Sequence, residues 1–398
     1  MPSGKILKKY ADLLIKFALN SGDGIKSGDV VWIMVPMCAW EFASYLRKSV
    51  MEAGGHPLFG LTWEDQRGRD FYEIGSEEQI GFAPDIYFDG LVNQIDHVVR
   101  ILADDNKYRL KGIDPKSVMR GQSALSHFRT RYRDKENQGK LTWVLASFAT
   151  EAEARDVGMS LEEYWDQIVK ACYLDFDDPV EKYKKIAKEQ HRIIDVLNEM
   201  KIQKVHVESE HVDLWVAIGS DRQWMGGRGR NIPSFEIFTS PDWRGTNGKI
   251  LFDVPLYRYG NRVNRAEAEF RDGVVVHAKA EEGEELFKAM IAVKNADKLG
   301  EFSLTDRRMS RIDRFMGQTL YDENYGGEYG NTHVAFGASY RDAFIGDVAN
   351  TSEESWEEMG FNESPEHTDL FSTEDRKVTA CLEDGSVKVI YEGGEFKV

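Results

Sequence analysis

Residues 29–35, Asp-Val-Val-Trp-Ile-Met-Val, contain an unbroken apolar run near the start of the chain. A strand that is apolar at every position must be covered on both faces, which is typical of a parallel sheet packed between helices. A helical segment at residues 40–53 ends at Gly54-Gly55, and a second strand-like run follows at residues 56–61. This order of strand, helix and strand predicts a βαβ unit, and therefore a doubly wound parallel sheet in the N-terminal part.

The second part of the chain has a different character. A long charged helix is expected at residues 178–200, and short strand-like runs dominate from Lys204 onwards. The length of 398 residues is enough for two domains with cores of their own. We therefore expect an N-terminal α/β domain over residues 1–203 and a strand-rich α+β domain over residues 204–398.

The charge of the chain is strongly acidic and unevenly distributed. The net charge is −17; residues 1–150 hold 20 Lys and Arg against 19 Asp and Glu, whereas residues 151–398 hold 31 against 49. Such a chain lacks the basic surface of general nucleic-acid-binding proteins, so no nucleic-acid partner is expected. An acidic second half favours cations and the positively charged ends of substrates.

The sequence also bears on cellular location. No apolar run approaches the roughly 20 residues of a membrane-spanning helix, and no signal-peptide core is evident at the start. The three cysteines, Cys38, Cys172 and Cys381, are widely separated and suggest no disulfide framework. We therefore expect a cytoplasmic protein without a membrane partner.

Glu236 lies within an apolar strand-like run, Phe235-Glu-Ile-Phe-Thr239, that Pro233 and Pro241 bracket. A lone buried carboxylate is costly, so it must be paired, protonated or bound to a cation. An ion pair with an arginine is the simplest alternative to a cation. The arginines nearby in sequence are Arg228, Arg230 and Arg244.

Later segments supply further metal-ligating side chains. Glu301 follows a glycine, His333 begins an apolar run, and His367 and Asp369 are spaced to share one face of a strand. Two glutamates, two histidines and one aspartate are the ligand types that bind a pair of zinc, cobalt or manganese ions. Each residue alone is weak evidence, because an isolated His or Glu is more often hydrogen-bonded or solvated. The pair His211 and Asp213 repeats the His-x-Asp spacing but is not counted among the ligands.

Together these blocks resemble the aminopeptidase T family of leucyl-type thermophilic metalloaminopeptidases, in an order and spacing that extend over nearly the whole chain. The blocks that carry the resemblance are Asn231-Ile-Pro-x-x-Glu236-Ile-Phe-Thr-x-Pro241, Leu299-Gly-Glu301-Phe, Asp322-Glu-Asn324, His333-Val-Ala-Phe-Gly337 and His367-x-Asp369.

The resemblance implies a site for two divalent metal ions. The residues that match the ligands of the family are Glu236, Glu301, His333, His367 and Asp369. Tyr340 matches a tyrosine beside the metals, where it either hydrogen-bonds the oxyanion or braces a ligand. The metal-bridging carboxylate is Glu236 or Glu301, and either one can also move the proton. We take Glu301 and Tyr340 as the candidate catalytic residues.

The expected function is that of a metal-dependent aminopeptidase, which removes N-terminal residues from peptides by means of a water activated by two metals. The resemblance further implies a homodimer that encloses a large cavity, with a peptide carrying a free N-terminus as substrate. The sequence departs from the family at Ser234-Phe235, where the family has a glycine before the glutamate, and at a longer glycine-rich loop over residues 325–330. The alternatives are a metal-dependent hydrolase of a non-peptide substrate and a non-enzymatic binding protein with a degenerate site.

Overall fold

A computed structural model of the chain describes residues 1–62, 66–106, 108–258 and 261–398. These residues form two compact units, one made of 1–184 with 228–233 and the other of 185–227 with 234–398. These units are defined by their internal contacts. The boundary between two separately folding domains that the sequence predicts, between residues 203 and 204, stays a prediction. Among the described residues, no helix is both long enough and apolar enough to cross a lipid bilayer.

The first unit contains a five-stranded parallel sheet. Its strands are β1 (Val30–Pro36), β2 (His56–Thr62), β3 (His97–Leu102), β4 (Thr142–Ser147) and β8 (Asn231–Ile232). The spatial order is β2-β1-β3-β4-β8, so the chain proceeds from β1 to one side and then to the other. This is the doubly wound arrangement expected from the βαβ pattern.

Two helices of the first unit begin with a capping box, in which a Ser or Thr is followed by Glu three residues later. The helices of the first unit are α1 (Gly4–Leu13), α2 (Trp40–Glu52), α3 (Gln66–Ile74), α4 (Glu77–Ile80), α5 (Asp85–Gln94), α6 (Pro115–Ala124), α7 (Ser126–Asn137), α8 (Glu151–Asp156) and α9 (Leu161–Ala171). A further helix, α10 (Pro179–Glu199), begins in the first unit and ends in the second.

The core of the first unit explains the apolar run of β1. Val31, Ile33 and Val35 are fully buried, and so is most of Trp32 on the opposite face of the strand. Trp32 packs with residues of α5, β3 and the start of β4. Burial of alternate side chains on both faces is the reason that this strand tolerates no polar residue at its centre.

The second unit contains two antiparallel sheets. The larger sheet has the order β11-β12-β10-β6-β5-β17-β18-β19, with β13 paired to β12. Its strands are β5 (Ile202–Glu208), β6 (Asp213–Ala217), β10 (Asp242–Phe252), β11 (Leu256–Arg258), β12 (Asn261–Arg271), β13 (Val274–Glu282), β17 (Lys377–Leu382), β18 (Val387–Glu392) and β19 (Glu395–Phe396).

The smaller sheet carries the candidate site and has the order β16-β15-β14-β9-β7. Its strands are β7 (Met225–Gly226), β9 (Glu236–Thr239), β14 (Leu299–Thr305), β15 (Asn331–Gly337) and β16 (His367–Ser372). The helices of this unit are α11 (Glu284–Ile291), α12 (Thr319–Asp322) and α13 (Glu353–Glu358). The fold class expected from the sequence, a parallel-sheet α/β region followed by a strand-rich region, is confirmed.

Two glycines shape the smaller sheet. A Cβ atom at Gly300 would lie 2.1 Å from the carbonyl oxygen of Ala338, and the pairing of β14 with β15 shifts register between Leu299 and Glu301. Gly337 ends β15 with a φ of +106°, and a Cβ there would lie 2.1 Å from the carbonyl oxygen of Glu366. The close backbone approach at both positions admits only glycine.

We predict that Gly337→Ala destabilises the protein far more than Gly385→Ala, a matched change in the turn between β17 and β18. Both glycines have positive φ, but nothing lies within 4 Å of a Cβ at Gly385. The control should therefore lose only about 1–2 kcal/mol of unfolding free energy through backbone strain. The clash at Gly337 should add roughly 1–3 kcal/mol. Urea unfolding measures both, and equal losses would contradict the steric argument.

Candidate metal centre

The strand register brings the five expected ligands to one face of the smaller sheet. Glu301 pairs with Ala335, which in turn pairs with Asp369, so these side chains share a face. His333 lies two residues before Ala335 on the same strand, and His367 lies two residues before Asp369.

Glu236 lies on β9, which pairs with β14 on the side opposite to β15, and its side chain joins the same face. It pairs with Thr305, which lies on the same side of its strand as Glu301 because the two positions are separated by an even number of residues. All five side chains thus project from four adjacent strands into one region.

The ligating atoms form two groups that share Glu301. His333 Nε2 lies 3.3 Å from Glu236 Oε2 and 3.2 Å from Glu301 Oε1. His367 Nε2 lies 3.6 Å from the other oxygen of Glu301 and 3.5 Å from Asp369 Oδ1. Within each group of three residues, Glu236-Glu301-His333 and Glu301-His367-Asp369, the atoms lie within 4.8 Å of one another.

Burial gives the site an unusual electrostatic balance. Burial raises the pKa of Glu301 to about 7, and the charge of Glu236 adds to the shift. Burial alone would lower the pKa of His367, but hydrogen bonding and attraction to Asp369, with the charge of Glu301, raise it to about 9. Several buried carboxylates that face two imidazoles are the donor set that divalent cations take, since a cation offsets the repulsion. The residues present therefore fit a metal site.

Glu323 is a member of this site that the sequence reasoning did not assign. It follows α12, is buried, and has a pKa well above its usual value because of burial and of the charges of Glu236, Asp369 and Glu301. Asn324 donates a hydrogen bond to Glu323 Oε1 at 3.3 Å. The available signal was the block Asp322-Glu-Asn324, in which three consecutive polar residues are all buried.

Tyr340 borders the site on the side of His367. Its ring centroid lies 4.8 Å from that of His367, and its backbone N–H donates to Ser240 Oγ at 2.8 Å. Burial of the phenol and the charges of Glu301 and Asp369 hold the pKa of Tyr340 well above its usual value. Part of the residue is nevertheless exposed to solvent.

The other candidates of the sequence have partners elsewhere. Arg244 pairs with Asp242 at 2.7 Å. His211 binds Glu374 at 2.5 Å, and Asp213 binds His206 at 2.7 Å. Glu236 makes an ion pair with His333, and the pair His211 and Asp213, just before and at the start of β6, does not join the site.

Comparison with known proteins matches the whole chain to one family. The sequence profile described as thermophilic metalloprotease (M29) matches residues 4–396. Aminopeptidase T of Thermus aquaticus is 28% identical over 413 aligned residues, and aminopeptidase AmpS of Bacillus subtilis is 26% identical over 411. Each alignment covers 98% of this chain and 98% of the relative.

The fold has a counterpart among solved structures. Wild-type AmpT from Thermus thermophilus superposes with a TM-score of 0.84 at 24% sequence identity, and 99% of each chain is covered. With a family profile that spans nearly every residue, the chain belongs to the thermophilic metalloprotease (M29) family.

Proposed function

We propose that this protein is a metal-dependent aminopeptidase that removes N-terminal residues from peptides at a site for two divalent metals. Membership of a metalloprotease family supports hydrolysis of peptide bonds, and the similar proteins named aminopeptidases support action at the N-terminus. The single observation that carries the two-metal proposal is the position of Glu301, whose two oxygens face His333 and His367 separately.

In this proposal each group of three residues holds one metal. Glu236, Glu301 and His333 would hold the first, and Glu301, His367 and Asp369 the second. Oxygen and nitrogen ligands of this kind suit zinc, cobalt or manganese. Glu323 adds a further carboxylate, whose burial beside the other acids is difficult to balance without a cation.

Bound metals would supply a lowered pKa for water and polarisation of the scissile carbonyl. The chain itself supplies proton transfer and hydrogen bonding. Glu301 or Glu236 is proposed to move the proton from the water to the departing amine. Tyr340 stays protonated at neutral pH and is proposed to donate a hydrogen bond to the developing oxyanion.

The carboxylates also account for the choice of a free N-terminus. The α-ammonium group of a peptide is positively charged, and of the four carboxylates at the site that of Glu323 lies outside the two groups of metal ligands. Attraction between opposite charges at close range would place the first residue of the peptide at the site. An internal peptide bond offers no such charge, so the proposal favours exopeptidase over endopeptidase action.

Three finer parts of the proposal have different support. The ligand types support zinc, cobalt or manganese as the metal, and the family resemblance alone supports assembly as a homodimer. We also propose a cytoplasmic location. The free thiols of Cys38, Cys172 and Cys381 are compatible with a reducing compartment. Multi-angle light scattering on the purified protein measures the oligomeric state, for which we propose two chains.

The experiment that tests the function compares leucine-p-nitroanilide with N-acetyl-leucine-p-nitroanilide before and after chelation. We expect cleavage of the first substrate only, loss of cleavage on chelation, and recovery when zinc, cobalt or manganese is added. Cleavage that survives chelation, or equal cleavage of the acetylated substrate, would contradict the proposal. Metal binding without cleavage across a panel of aminoacyl substrates would favour a non-peptide substrate.

Metal affinity should rise with pH. A ligand whose pKa is raised holds a proton that the metal must displace, and His367 and Glu301 have pKa values of about 9 and about 7. The pKa of His333 is also raised well above its usual value, because its burial is outweighed by hydrogen bonds to Glu236 and Glu301. Below pH 7 Glu301 is therefore protonated as well as the histidines, whereas above pH 7 the protons remain on the histidines. The dissociation constant for zinc, measured by chelator competition, should therefore fall more steeply below pH 7 than above it. A constant that does not change between pH 6 and 9 would contradict this ligand set.

Replacement of Tyr340 by phenylalanine should lower kcat by roughly 10²-fold, because one hydrogen-bond donor to the oxyanion is lost. The ring contacts with His367 and Phe238 remain, so metal content should not change. Steady-state kinetics and metal analysis of the same preparation test both statements. A normal kcat would show that the phenol only braces the ligand.

A further inference from the structure

Asn331 opens strand β15 two residues before His333, so the two side chains lie on the same face of the strand. It is fully buried. Its amide nitrogen donates to the carbonyl oxygens of Glu323 at 3.0 Å and Tyr325 at 2.7 Å. Because both N–H groups are used, the orientation of the side-chain amide is determined by its neighbours.

This orientation directs the amide oxygen to the histidine. Asn331 Oδ1 lies 3.3 Å from His333 Nδ1, a long hydrogen bond. An amide oxygen can only accept, so the proton of a neutral His333 belongs on Nδ1. The lone pair is then on Nε2, the atom that faces Glu236 and Glu301.

The reversed amide would have the opposite effect. An NH₂ group facing Nδ1 would place the histidine proton on Nε2, where it would block ligation. That reversal would also turn Asn331 Oδ1 toward the carbonyl oxygens of Glu323 and Tyr325, where two acceptors would face each other. The two backbone carbonyls therefore exclude the wrong arrangement of the amide.

We infer that Asn331 is a positioning residue that holds His333 as its Nδ1–H tautomer and so presents Nε2 to the metal. The inference rests on the proposed function, since it gives His333 the role of a ligand. A hydrogen-bond partner on the ring nitrogen that does not bind the metal fixes the orientation of the ring and the basicity of the ligand. The same side chain ties the backbone of Glu323 to the strand that carries His333.

Two variants of Asn331 separate this role from simple packing. Asn331→Asp keeps an oxygen that accepts from His333 but lacks the two N–H groups, whereas Asn331→Leu lacks both functions. Asn362→Leu is the matched control, because Asn362 is also buried and donates to two carbonyls, those of Asn295 at 2.7 Å and Gly337 at 2.6 Å.

The tautomer is read directly by long-range ¹H–¹⁵N NMR of the zinc-free, histidine-labelled protein, with His333→Gln used for assignment. The spectra are recorded at alkaline pH, where the ring is neutral, because, despite its burial, hydrogen bonds to Glu236 and Glu301 raise the pKa of His333 well above its usual value. We expect the proton of His333 on Nδ1 in the wild type, in Asn331→Asp and in Asn362→Leu. In Asn331→Leu we expect both tautomers. A wild-type His333 that carries its proton on Nε2 would overturn the inference, and this holds whether or not any variant folds.

Zinc affinity, measured by competition with a chelator, gives the second readout. Asn331→Leu should weaken it by roughly 10–100-fold, and Asn362→Leu should weaken it clearly less. Equal weakening by the two leucine variants would assign Asn331 a packing role only and overturn the inference. A wild-type protein that binds no zinc but keeps the Nδ1–H tautomer would overturn the proposed function instead.

Discussion

Mutual repulsion among buried carboxylates is the interaction on which the site depends. Glu301, Glu323 and Asp369 lie close to one another and to Glu236 in a region from which water is largely excluded. Without positive charge such an arrangement is costly, and the shared protons on Glu301 and the histidines relieve it only in part. Two divalent cations offset the same repulsion more fully, which is why we propose a site that is completed by metal.

The geometry that concentrates these acids comes from the backbone of the smaller sheet. Antiparallel register places side chains from neighbouring strands in rows, so that residues far apart in sequence meet on one face. The bulge at Gly300 shifts the register next to Glu301, at the point where that side chain must serve both groups of ligands. The proposed function thus depends on a backbone feature that no ligand residue could supply.

The sequence predicted the parts of this arrangement that leave a local pattern. The apolar run of β1 indicated a parallel sheet, and Glu236 stood out because it interrupts an apolar strand. Asn331 leaves no such pattern, and the block Asp322-Glu-Asn324 marked Glu323 without assigning it a role. Both residues lie beside a glycine-rich loop and owe their burial to tertiary packing. The His-x-Asp spacing alone did not distinguish His211-x-Asp213 from His367-x-Asp369, and the family resemblance did. In the structure Asp213 begins β6 of the larger sheet, whereas His367 and Asp369 lie on β16 of the smaller sheet.

The sharing of Glu301 by two metals is tested most directly by the metal content of zinc-loaded protein with Glu301→Gln, measured by mass spectrometry. Glu208→Gln, on a carboxylate that pairs with Lys377 at 3.1 Å, serves as the control. We expect about two zinc ions per chain in the wild type and the control, and loss of both from Glu301→Gln. One zinc ion per chain in the wild type, or two retained in Glu301→Gln, would contradict the account.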